Sequence, residues 1–251
     1  AVACGYRSGW LTPNPQEKHV ARIGLTVAVL GVAGALAGCG ADFADSTPEE
    51  IVAEAKEAMG DLTSVKVSGT ITNEGQEITL DIQSSADGDC TGSIGIDGGT
   101  AELLGVGGST WMRPDEAFWR TFAGPGAEQV LSLVGEKWVV VPADEDSFNE
   151  FCDVDELLDE MLKDEDDDDS TYSTSGTEEL DGQEVVAVDN EDAEDGDSTG
   201  YVLVDEPHYL VKIEKTDGDS TGTVTFSEFD ETFEVEAPAE DDVIDLDQIS
   251  G

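Results

Sequence analysis

The side chains best suited to nucleophilic, redox or metal chemistry are four cysteines and two histidines. His208 is the one histidine beyond the first 38 residues, and it follows Pro207 at the expected start of a strand. A Ser–His–Asp relay would have to use it, and no G-x-S-x-G nucleophile elbow is expected in the chain. Neither H-E-x-x-H nor C-x-x-C occurs. Gly105-Val106-Gly107-Gly108 precedes a strand rather than a helix, so it is no phosphate cradle. The acidic runs fail the twelve-residue calcium-loop template. With Gly196 at position six, positions one and twelve fall on Glu191 and Val202; with Gly88 there, they fall on Gln83 and Ile94. That leaves only weak, non-specific cation binding by the acidic loops. With 59 carboxylates in the chain, a catalytic pair carries no signal. The residues therefore point to a protein that is not an enzyme and needs no metal or cofactor.

One thiol stands in a distinctive place. Residues 1–22 carry Arg7, Lys18 and Arg22 against the single acid Glu17, and Ile23–Ala37 then runs without a charge. A basic stretch followed by a short apolar one is the pattern of an export signal. The apolar run is too short, and too rich in Gly and Ala, for a spanning helix of about 20 residues. It closes with Leu36-Ala37-Gly38-Cys39. This matches the bacterial lipobox, which implies cleavage after residue 38 and a diacylglyceryl group on Cys39. Two acyl chains, at about 0.8 kcal/mol per buried methylene, anchor a protein stably where one does not. The expected divisions are a signal peptide over 1–38, a lipidated tether over 39–46, a folded domain over 47–236 and an acidic tail over 237–251.

Setting aside Glu17, Arg7, Lys18 and Arg22 leaves 58 of the 59 acids and 8 of the 11 bases for the exported part. Such a surface repels polynucleotides, which excludes nucleic acid as a partner. It also repels anionic headgroups, so attachment to the membrane must rest on the acyl chains. Dense carboxylate fits life in high salt, where the mutual repulsion is screened. If Cys39 carries lipid, Cys90 and Cys152 remain as a pair in an oxidising compartment, where a disulfide persists. Two inert buried thiols are the alternative. Neither has a Cys or His neighbour at zinc-ligand spacing.

The elements that must position these groups can be read from periodicity. Thr47, Pro48 and Glu50 form a capping box with proline at the first helical position. Ile51, Ala55, Ala58, Met59 and Leu62 then recur on one helix face. The period changes to two over Ser64–Thr72 and Glu77–Ser84, joined by a hairpin-like link. Thr91–Ile96, Ala101–Val106 and Ser109–Met112 continue the meander. Their glycines suit a sheet that curves sharply. Helices are expected after Pro114, over Ala127–Val134 and over Phe148–Leu162, with a strand at Trp138–Val141. Asp164–Asp169 and the Ser/Thr run after it read as an acidic loop, as does Asp189–Gly200. Strands resume at Glu184–Val188, Tyr201–Val204, Tyr209–Glu214 and Gly222–Phe229. The tail from Ala237 reads as weakly structured.

This order, with the lipobox and the segments Thr47–Met59, Val65–Thr72, Gly108–Arg120, Lys137–Pro142, Pro207–Glu214 and Thr223–Phe229, resembles actinobacterial lipoproteins of the LolA/LppX-like fold. The resemblance covers most of residues 47–245. It implies an α+β domain: a strongly curved antiparallel sheet of about nine to eleven strands forming an incomplete barrel, with helices over the concave face. The loops at 164–170 and 189–199 are longer and more acidic than the family leads one to expect.

The resemblance further implies a monomeric carrier of a lipid or other amphiphile, tethered to the outer face of the cell membrane. Aromatic residues crowd one third of the chain, and they give the candidate lining of an apolar cavity: Ile51, Met59, Leu103, Trp111, Phe118, Trp119, Leu133 and Trp138. The alternative is a ligand-free surface interaction or sensor module with a filled core.

Overall fold

The computed structural model describes residues 43–142, 146–162, 171–191, 196–218 and 220–246. The expected signal peptide, Cys39 and the acidic run 164–169 lie outside them. The first element is helix α1 (Pro48–Gly60). Its capping box is complete: the Thr47 hydroxyl accepts from the Glu50 amide, and the Glu50 carboxylate accepts from the Thr47 amide at 3.0 Å. Ile51, Ala55 and Met59, spaced by four, are all buried. The chain is already folded before the cap. Phe43, assigned to the tether, is 6 % exposed and stacks on the His208 ring at 3.7 Å between centroids.

Five strands follow as a meander: β1 (Ser64–Asn73), β2 (Gln76–Ser85), β3 (Cys90–Ile96), β4 (Gly99–Val106) and β5 (Ser109–Pro114). Helices α2 (Glu116–Ala123) and α3 (Ala127–Val134) lead to β6 (Trp138–Val141). Then come α4 (Asp146–Asn149), a 3-10 turn at Glu150–Cys152 and α5 (Val154–Leu162). The second meander comprises β7 (Thr171–Leu180), β8 (Gln183–Glu191), β9 (Ser198–Leu203), β10 (Leu210–Lys215) and β11 (Ser220–Ser227); β12 (Val243–Ile244) lies in the tail. The strands form a single sheet in the order β12-β6-β5-β4-β3-β2-β1-β11-β10-β9-β8-β7. Every pairing is antiparallel except β12 with β6.

The architecture is the expected α+β one, with three local differences. The Ser/Thr run after the acidic loop is not loop but the edge strand β7, almost wholly exposed. It lacks alternation because none of its residues is buried, and it pairs with β8 through a register shift at Thr174/Gly176, a common feature of sheet edges. The expected helix over Phe148–Leu162 breaks at Asp153, whose carboxylate instead caps α5 by accepting from the Asp155 and Glu156 amides at 3.0 and 3.2 Å. The tail is not free either. Val243 and Ile244 pair with Trp138 and Val139, because a short apolar run in an acidic tail can cover an open sheet edge.

The register runs an apolar row across the sheet: Val139, Met112, Leu103, Gly92, Ile82, Val67 and Phe226 are successive cross-strand partners. All the buried apolar side chains of these strands thus share one face, as the two-residue strand period requires. Curvature brings backbones unusually close at three strand glycines, Gly69, Gly92 and Gly222. A Cβ on Gly92 would fall 2.0 Å from the Asp81 carbonyl oxygen, and one on Gly69 would fall 2.3 Å from that of Thr223.

Candidate functional site

The inner face carries two clusters. The first, under α1 and α5, gathers Ile51, Met59, Val65, Val67, Val186, Val202 and Phe226 among others. The second, under α2 and α3, holds Ile82, Ile94, Leu103, Met112, Phe118, Val134 and Val139, with Trp119, Val130, Phe148, Ile244 and Leu246 against it. Phe151 packs against both. It lies in the 3-10 turn that is fastened to the sheet floor from two sides. The buried Ser84 hydroxyl donates to the Phe151 carbonyl, and Cys152 is disulfide-bonded to Cys90 on β3, with Cα atoms 4.8 Å apart. Gly105 makes room for that bridge, since a Cβ there would lie 2.8 Å from the Cys152 sulfur.

Helix α2 starts at Asp115, whose carboxylate accepts from the Phe118 amide at 2.7 Å. Its first turn lies directly on Gly99, where a Cβ would meet the Phe118 nitrogen at 2.3 Å. Phe118 is buried and stacks on Phe122 at 4.4 Å; Phe122 meets Phe148 at 6.4 Å. The helix ends at Gly124 in the left-handed region, Gly124-Pro125-Gly126 turns the chain, and α3 ends at Gly135, again left-handed. Each helix has only eight residues. The cover is incomplete: Phe122 is 52 % and Leu133 45 % exposed. Beneath it, the Trp119 indole nitrogen is buried without a hydrogen-bond partner.

The eight candidate lining residues divide accordingly. Ile51 and Met59 belong to the first cluster; Leu103, Phe118 and Trp119 belong to the second. Leu133 is on α3 with its side chain in solvent. Alternation along β5 and β6 turns Met112, Val139 and Val141 inward, and so puts the half-buried Trp111 and Trp138 on the outer face. There the Arg113 guanidinium lies 4.7 Å over the Trp138 ring and pairs with Glu102. Arg113, Glu136, Lys137, Trp138 and Asp242 line an open groove of about 590 Å³ at the tail, and Lys137 donates to the Asp241 carbonyl at 2.7 Å. The candidate lining omits Phe148 and Phe151, expected on the apolar face of a helix, and Ile244 and Leu246, which read as part of an acidic tail. The last two had a visible signal, apolar residues recurring among the acids of the tail.

Of the groups with possible chemistry, His208 is held structurally. Its Nδ1 is 3.1 Å from the Leu203 carbonyl, its ring stacks on Phe43, and Nε2 is 3.9 Å from the Glu54 carboxylate. The spacing G-x-S-x-G does occur, contrary to the expectation, as GDSTG at Gly196–Gly200 and again at Gly218–Gly222. Both serines open strands, β9 and β11, so neither stands at the strand-to-helix turn that exposes a nucleophile. Among the described residues, no group of three or more His, Cys, Asp or Glu side chains could hold a metal ion.

No family model and no curated protein matches the sequence. Solved structures do. LprF from Mycobacterium bovis superposes with a TM-score of 0.51 at 14 % identity, covering 77 % of this chain and 100 % of that one. This chain has the LprF fold. The lipoprotein LppX of Mycobacterium tuberculosis aligns at 15 % identity over 75 % of this chain and 99 % of its own, with a TM-score of 0.46; that value is too low to add to the assignment. The helix-covered open sheet of this chain is the α+β architecture expected from the order of elements.

Proposed function

We propose that the chain is an exported lipoprotein, held at the extracytoplasmic face of the cell membrane by a diacylglyceryl group on Cys39, and that its domain carries a lipid or another amphiphile between the curved sheet and its helices. The observation that carries this reading is the inner face itself: a broad apolar surface, on a fold shared with LprF, covered by short helices rather than by a second sheet. Displacing α2 and α3 would open the second cluster to an acyl chain. Shielding that chain from water stabilises the complex by about 25 cal/mol per Å² of apolar area. The lipobox supports the anchor, and the acidic composition leaves the acyl chains as its only source of membrane affinity.

Intact-mass analysis from an actinobacterial host, followed by native mass spectrometry, tests both parts. The expected result is a chain beginning at a diacylglyceryl-modified Cys39, with one lipid retained per protein. An unmodified thiol with the leader attached would overturn the anchor. A protein that neither retains lipid nor extracts a fluorescent phospholipid from vesicles would overturn the carrier. A ligand-free interaction module is the second reading, favoured by the exposed Phe122 and Leu133. It predicts capture of a protein partner by wild type and not by Phe122→Ser.

A further inference from the structure

Trp119 stands out within the second cluster. Its ring packs on the apolar floor, yet its Nε1–H is buried and has no acceptor. A buried indole N–H normally finds a partner; left unpaired it costs free energy that a phenylalanine of similar shape would avoid. The surroundings define what could pair with it. Phe118, Val130, Val134 and Phe148 bring hydrocarbon, and Arg120 on the same helix is exposed and paired with Glu116. A neutral indole donor suits a neutral acceptor, because it cannot compensate the charge of a carboxylate or phosphate placed there. The cover above is two short helices, each ending at a left-handed glycine, with Phe122 and Leu133 about half exposed.

Building on the lipid-binding reading, we propose that Trp119 is a ligand-positioning residue that donates from Nε1 to an ester carbonyl of an acylglycerol lying beneath the α2–α3 hairpin. It fixes the depth at which the glycerol end of the lipid sits and selects ester-linked over ether-linked chains. A bound water is the competing occupant.

The test uses the full chain with dioleoylglycerol and with its dialkyl ether analogue, which has the same chains but no carbonyl. Wild type should favour the ester, and Trp119→Phe should lose about tenfold in affinity for the ester, the scale of one buried hydrogen bond, with less than a twofold change for the ether. In the unsubstituted protein, where folding of a variant is not in question, the Trp119 indole N–H resonance should move downfield with the ester alone. Equal losses for both ligands, or none for either as a water would give, would overturn the proposal while leaving lipid binding intact. If wild type binds neither probe, the lipid-binding reading fails and this inference fails with it.

Discussion

The two halves of the inner face are covered in opposite ways. Over the first cluster lies the thirteen-residue α1, fully capped, with Ile51 at 0 % and Met59 at 1 % exposure and α5 packed beside it. Over the second lie two eight-residue helices hinged on glycines, with a half-exposed Phe122 and an unpaired indole N–H. The sheet beneath is continuous, so the difference belongs to the covers. Both clusters have fully buried centres, and the contrast lies at the rim, where the second cover leaves Phe122 and Leu133 half exposed.

The disulfide fastens the turn between the halves. Replacing Cys90 and Cys152 with serine should therefore have the largest effect, about 4 kcal/mol for a bridge across 62 residues, read by urea unfolding. Ile51→Ala should cost about 3 kcal/mol by leaving a cavity in a closed cluster, and Leu133→Ala under about 0.5 kcal/mol. Equal costs would erase the contrast between covers. Gly92→Ala, which drives a methyl into the Asp81 carbonyl, should cost about 2–3 kcal/mol, whereas Gly107→Ala, at a left-handed turn with open space around it, should cost about 1 kcal/mol. Thr47→Ala removes the cap of α1 and should cost about 1 kcal/mol.

The smallest effect is a pH dependence in the first half. The Thr63 amide, donating to Asp230 at 2.8 Å, holds that carboxyl below its usual range, helped by the hydroxyls of Thr63 and Tyr209. A depressed folded-state value means that this contribution is complete above the ordinary carboxylate pKa of about 4 and is lost as pH falls through the lower folded value. Asp230→Asn should flatten the acid limb of the stability profile. An unchanged limb would show that the tie does not matter.

Much of this was legible in the chain. The α1 cap and its apolar face could be read directly, because the signals for both lie within a few residues. So could the first meander, whose strands alternate cleanly over one covered face. Strand β7 could not, because an edge strand with no buried face has no alternation to show. The break at Asp153 was hidden because Phe148–Leu162 keeps helical spacing throughout; the turn is fixed by Ser84 and Cys90, residues distant in sequence. The candidate lining was half legible. Aromatic type marked Trp111, Trp119 and Trp138 alike, but only the strand register sends Trp111 and Trp138 outward while α2 carries Trp119 inward.

By itself, then, the sequence determined the local order: a basic and then apolar stretch running up to Cys39, a capped helix, strands of period two, and a charge that forbids acidic partners. Tertiary structure decided which strands became neighbours, how one apolar face divided into two differently covered halves, and which tryptophan kept a buried N–H without an acceptor. Those outcomes depend on contacts between residues far apart in the chain, and no local pattern encodes them.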